Sequence, residues 1–97
     1  MTRDQAFQTA QMFRDLGASA YAEENQRVID HQVVSYWTIS ASLVDARHGV
    51  SGDSGRIEEP LDAQAARALV GTMRAEIKRR IASVRASRQT QRELDAE

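Results

Sequence analysis

The chain predicts an α+β domain: an N-terminal helix, two or three antiparallel strands and a long C-terminal helix, in the order αββα or αβββα. Three observations predict it. Apolar residues recur at helical spacing near both ends, a period-two run of β-branched and aromatic residues occupies positions 33–43, and Pro60 marks the entry to the last helical stretch.

Thr2-x-x-Gln5 has the form of a capping box, so the first helix is expected over about residues 3–16, with Phe7, Ala10, Phe13 and Leu16 on its inner side. Gly17 supplies the left-handed residue that commonly follows a helix end. Residues 18–32 are ambiguous, because Ala18–Glu24 suits a helix while Arg27-Val28-Ile29 suits a strand; a first strand over Tyr21–Ile29 is expected. The next element is plainer. Val33, Trp37, Ile39, Ala41 and Leu43 alternate with Val34, Tyr36, Thr38, Ser40 and Ser42, the pattern of a strand with one buried face. A helix here would place three serines and a threonine at interior positions of poor propensity.

Gly49, Gly52 and Gly55, interleaved with Ser51, Asp53 and Ser54, predict a flexible connection, with Arg56–Glu59 as a short edge strand after it. Pro60 and Asp62 suit a helix entry. From there Ala66, Leu69, Val70, Met73, Ile77, Ile81 and Val84 define one core-facing stripe, which then stops. The chain is accordingly expected to form one domain over 1–84, with 85–97 as a polar helical extension or frayed tail.

Composition bounds the function. Ninety-seven residues build one core and leave little apolar area for a deep substrate cavity. With no cysteine there is no disulfide framework, thiolate metal site or cysteine nucleophile, which fits a reducing compartment. The opening Met1-Thr2-Arg3-Asp4-Gln5 lacks a signal-peptide apolar run, and no window approaches the roughly 18 apolar residues of a membrane span, so a cytoplasmic chain without a membrane partner is expected. Residues 1–60 hold five Lys/Arg against nine Asp/Glu, and residues 61–97 eight against five. Halves of opposite sign favour self-association or a charged partner.

No catalytic constellation stands out. His31 and His48 each have an aspartate nearby, Asp30 and Asp45, but neither pair forms a known acid–base or ligand motif. Polar residues at strand ends are the plainer account, and an enzyme site around either histidine is kept only as an alternative. The glycines at 49, 52 and 55 are not a phosphate cradle, since the acidic Glu58-Glu59 follows them instead of Gly-Lys-Ser/Thr and a helix start. The order αβββα is also that of double-stranded-RNA-binding domains. The basic residues which open the last helix of such domains are here Glu58-Glu59-Pro60-Leu61-Asp62, so membership is not inferred.

Three surfaces remain. Tyr36, Thr38 and Ser40 share the strand face turned away from Trp37, a composition that suits binding as well as an ordinary solvated sheet. Ala68, Gly71, Ala75 and Ala82 lie opposite the core stripe of the last helix, where small side chains allow close approach of a second helix. Arg67, Arg74, Lys78, Arg85 and Arg92 fall within about 40° of one another on the same helix, a basic stripe about 37 Å long with no aromatic residue for base stacking. The leading expectation is a small non-enzymatic binding protein without a cofactor: a regulator, inhibitor or assembly factor acting on an unidentified protein, with homodimerisation expected. Small occluding proteins of phages or mobile elements fit that size. Nucleic-acid binding through the basic stripe is the alternative.

Overall fold

Thr2 and Gln5 close the capping box in both directions: the Gln5 N–H donates to Thr2 Oγ1 at 3.2 Å and the Thr2 N–H to Gln5 Oε1 at 3.0 Å. Helix α1 follows over Arg3–Asp15. It ends as Gly17 predicts. Gly17 adopts φ +87°, and the Ala18 N–H reaches back to the Phe13 carbonyl at 3.0 Å, which turns the chain sharply into the sheet. These are features of a computed structural model that describes residues 1–96. Glu97, the last residue of the expected C-terminal extension, lies outside the described residues.

Strands β1 (Ser19–Ile29), β2 (Gln32–Asp45) and β3 (Val50–Ile57) form one antiparallel sheet in the order β1-β2-β3, and α2 (Ala63–Ala96) completes the αβββα order. The ambiguous segment is therefore strand from Ser19 onward. β1 and β2 are joined by Asp30-His31, both at positive φ (51° and 63°), which is the two-residue primed turn whose twist matches the strands it links.

β3 corrects the sequence reading. The glycine- and serine-rich stretch is not a flexible connection but most of a strand, and each glycine in it has a structural use. Gly52 lies directly against α2, where a Cβ would come within 2.5 Å of the Met73 carbonyl oxygen. Gly55 has φ +73° at a bulge, where Ser54 and Gly55 together oppose the single residue Ala41. The Ser54 hydroxyl accepts the Ala41 N–H at 2.9 Å, so the bulge leaves that amide paired. Only the loop Ala46–Gly49 remains as a connection.

Both helices pack on one face of the sheet. Phe13, Ala18, Ala41, Ala66, Val70 and Met73 form the larger buried cluster, and Ala6, Ala10 and Ile39 a smaller one next to it. Asp62 caps α2, its carboxylate accepting the Ala65 N–H at 2.7 Å. Burial along α2 follows the expected stripe, complete at Ala66, Val70 and Met73 and partial at Leu69, Ile77, Ile81 and Val84. Residues 85–96 are exposed throughout. No helix among the described residues is long and apolar enough to cross a membrane.

The molecule is elongated. Its radius of gyration is 18.3 Å and its extents are 66 × 31 × 17 Å, against a radius of about 13 Å for a compact chain of this length. Two projections account for the difference: the second half of α2, and the end of the β1–β2 hairpin. Hairpin residues from about Glu23 to Ser35 run past β3, whose last pairing is Ile57 with Ile39. Met1 extends the third strand position by a single step, its carbonyl accepting the Trp37 N–H at 3.1 Å.

Candidate interaction surface

The alternation of β2 gives the right faces but not the depth of burial. Trp37, Ile39, Ala41 and Leu43 do lie on the helix side, and Phe7 meets Trp37 with ring centroids 5.7 Å apart. Val33 is on that side too, yet it is 65% exposed, because α1 starts at the level of Trp37 and runs away from the hairpin turn. Four aliphatic side chains gather at the hairpin end: Val28 (72% exposed) and Val33 on the helix side, Ile29 and Val34 on the outer side. Val28 and Val33 are direct cross-strand partners, and Arg27 and Val34 pair next to them. Sequence reasoning passed over this cluster, although a Val-Ile dipeptide and a Val-Val dipeptide flanking a two-residue turn were visible.

The outer face needs a correction as well. Tyr36 and Ser40 are partly accessible, but Thr38 is 2% exposed and does not face solvent. It stands on the middle strand, where Asn25 Nδ2 donates to its hydroxyl at 2.8 Å and Arg56 Nη2 donates to Asn25 Oδ1 at 3.4 Å. Long polar side chains thus lie across the sheet and shut the small residue in. Arg27 covers Tyr36 in the same way, its guanidinium carbon 4.1 Å from the ring centroid. Tyr21, by contrast, is 60% exposed on this face.

On α2, Ala68, Gly71, Ala75 and Ala82 are all exposed, and the small-residue side packs against nothing within the chain. Gly71 has no heavy atom within 4 Å of where its Cβ would be, so intramolecular packing does not require a glycine there. The basic residues Arg67, Arg74, Lys78, Arg85 and Arg92 are exposed too, with Arg74 donating to the Leu16 carbonyl at 3.3 Å. Arg80, off that line, is paired with Glu76 at 2.6 Å.

The two histidines stand at opposite ends of β2 and cannot converge on one substrate. His31 occupies the hairpin turn. His48 closes the β2–β3 loop: its backbone N–H donates to Asp45 Oδ1 at 3.1 Å, and its ring Nδ1 lies 3.2 Å from the same oxygen. The backbone hydrogen bond from His48, aided by its ring and by the Arg47 amide, holds the Asp45 carboxyl below its ordinary pKa of 3.8. This is loop-closing geometry. Among the described residues, no group of three or more histidine, aspartate or glutamate side chains is placed to share a metal ion. One open surface depression lies between the end of the β1–β2 hairpin and the N-terminus and is lined by Met1, Arg27, Ile29, Val34, Tyr36, Glu58 and Glu59.

Comparison of the chain with family models, with curated proteins and with solved structures finds no match.

Proposed function

We propose that this chain is a small non-enzymatic protein-binding domain whose projecting β1–β2 hairpin docks on another protein. The observation that carries the reading is the aliphatic end of that hairpin: Val28, Ile29, Val33 and Val34 are 40–72% exposed, on both faces of a two-stranded ribbon that no helix reaches. Isolated exposed aliphatics are common, but two on each face at the end of a projection give both faces of the ribbon an apolar surface suited to contact. Left in water, each forgoes the roughly 1.5–3 kcal/mol that full burial of such a side chain contributes, which a partner covering the hairpin end would supply. A regulator or assembly factor fits this arrangement, because occluding or bridging another protein requires a shaped projection and no reactive group.

The test compares two baits. The wild-type chain and a Val33→Thr/Val34→Thr variant, both checked for the same circular dichroism, are used to capture proteins from the native host and the captured sets are compared by mass spectrometry. A protein retained by the wild type and lost with the variant is the expected result. Identical captured sets would remove the hairpin end as the docking element.

A further inference from the structure

The sheet has two edges, and they are protected to different extents. β3 is short, bulged at Gly55, and lies under α2 at Gly52. β1 presents an edge of 11 residues, Ser-Ala-Tyr-Ala-Glu-Glu-Asn-Gln-Arg-Val-Ile, without proline, glycine or bulge, and its register with β2 runs unbroken from Ser19 to Ile29. Such an edge is a template for another strand unless it is blunted.

Which of its backbone groups are free follows from the ladder. In an antiparallel pair, alternate residues turn both N–H and C=O away from the neighbour. The Ala20 carbonyl points outward, where it accepts from Arg14 Nε and Nη2 at 3.2 and 2.8 Å. On the other side of the pair, the Trp37 N–H is spent on Met1, so its β1 counterpart Glu24 is likewise turned away from β2. Both facts set the same phase. Ala22, Glu24, Gln26 and Val28 direct their hydrogen-bonding groups out of the sheet, and no backbone or side-chain partner meets them.

We infer that the occupant of this edge is a second copy of this chain, its β1 antiparallel to the first about a two-fold axis at Asn25. The sequence of the edge is complementary to itself in this one register. Only registers that match outward residues with outward residues can form the ladder, and these place the axis on a residue of β1. With the axis at Asn25, Glu23 faces Arg27 of the second copy, Tyr21 faces Ile29, Ala22 faces Val28 and Glu24 faces Gln26, each pair occurring twice. Opposite charges meet, and the exposed Tyr21, Val28 and Ile29 are covered by apolar neighbours. Asp30 of the second copy also comes alongside Ala20, where Arg14 is held.

Adjacent registers fail. With the axis at Glu24 or Glu23, a glutamate meets its own copy; at Gln26, Glu23 faces Ile29 and Glu24 faces Val28; at Arg27, two guanidiniums meet. Like charges directly opposite on a sheet are destabilising, whereas opposite charges and apolar pairs stabilise it. The result is a continuous sheet of two copies, β3-β2-β1-β1-β2-β3, with both sets of helices on one face. Val33 and Val34 lie on β2, outside the new ladder. The dimer shares Val28 and Ile29 with the docking reading and leaves Val33 and Val34 free for it, and it is tested separately, on the purified chain alone.

Sedimentation velocity at low salt tests it. The wild type is expected at twice the chain mass of 10.8 kDa. Glu23→Arg and Arg27→Glu each set two like-charge pairs in the homodimer and should weaken it by about tenfold or more, while an equimolar mixture of the two variants restores both opposite pairs and the dimer. Gln26→Pro removes an outward N–H without touching the β1–β2 ladder and should yield a folded monomer. A wild-type chain monomeric up to about 1 mM overturns the proposal, as does a dimer indifferent to both charge reversals. So does a mixture no tighter than its components. Loss of the dimer on Ala75→Glu/Ala82→Glu, with Glu23→Arg silent, would move the contact to α2 and overturn it equally.

Discussion

The hairpin end and the second half of α2 both leave the body of the molecule, but they meet water in opposite ways. The helix closes its own backbone hydrogen bonds and shows charge and amide groups, with Gln89–Glu93 and Gln91–Asp95 side-chain bonds along it and Leu94 as its only large exposed apolar residue. The hairpin shows aliphatic side chains and an open row of N–H and C=O groups along β1. A helix can project alone because its hydrogen bonds are internal. A ribbon cannot satisfy its outer edges from within. Of the two projections, the hairpin is the one left with exposed aliphatic side chains and outward backbone groups, whereas α2 beyond Val84 pairs its own backbone.

Three changes would break or sharpen that contrast. The largest effect belongs to the body that carries both projections: Phe13→Ala empties the centre of the main cluster at a residue 0% exposed and should cost about 3–5 kcal/mol in urea unfolding. Retention of full stability would mean that the projections are held by something other than this core. Next is the hairpin turn, where Asp30 and His31 both sit at positive φ. Replacing them with Asn-Gly removes most of that strain and should raise stability by about 1 kcal/mol, read as a higher denaturation midpoint with unchanged slope. An unchanged midpoint would show a hairpin that opens independently of the body. The smallest change is a chain ending at Val84. Every residue removed from the described part of α2 is exposed, so stability should move by less than about 0.5 kcal/mol while helical circular dichroism falls. A larger loss would reveal contacts that burial does not show.

Much of the fold was legible residue by residue. Thr2, Gln5 and Gly17 mark both ends of α1 because capping is a local matter of which backbone donors and acceptors lack partners. The strand β2 and the stripe of α2 were legible through their periods. β3 was legible only at its end, where Arg56 and Ile57 belong to the expected edge strand Arg56–Glu59, while Glu58-Glu59 lie beyond the strand. Residues 50–55 read as a connection, since glycine and serine have low strand propensity and no local signal distinguishes a glycine that frees a loop from one that admits a neighbouring helix. Gly52 is the second kind, and only Met73, far along the chain, makes it so. Thr38 failed for a related reason: its period assigns it to the outer face, while Asn25 and Arg56, both outside its own strand, decide that it is buried.

The sequence by itself determined α1, β2 and α2, their order and the side of β2 and α2 that faces the core, because those follow from spacings of two and of three to four residues along one stretch of chain. What the tertiary structure decided was coverage. A strand of 14 residues spans about 46 Å and a helix of 13 residues about 20 Å, so α1 cannot shelter the sheet it packs on. α2 is long enough at about 51 Å but is fully buried only at Ala66, Val70 and Met73 before it leaves the sheet. Rise per residue and crossing direction, not hydrophobic pattern, left Val28, Ile29, Val33 and Val34 in water.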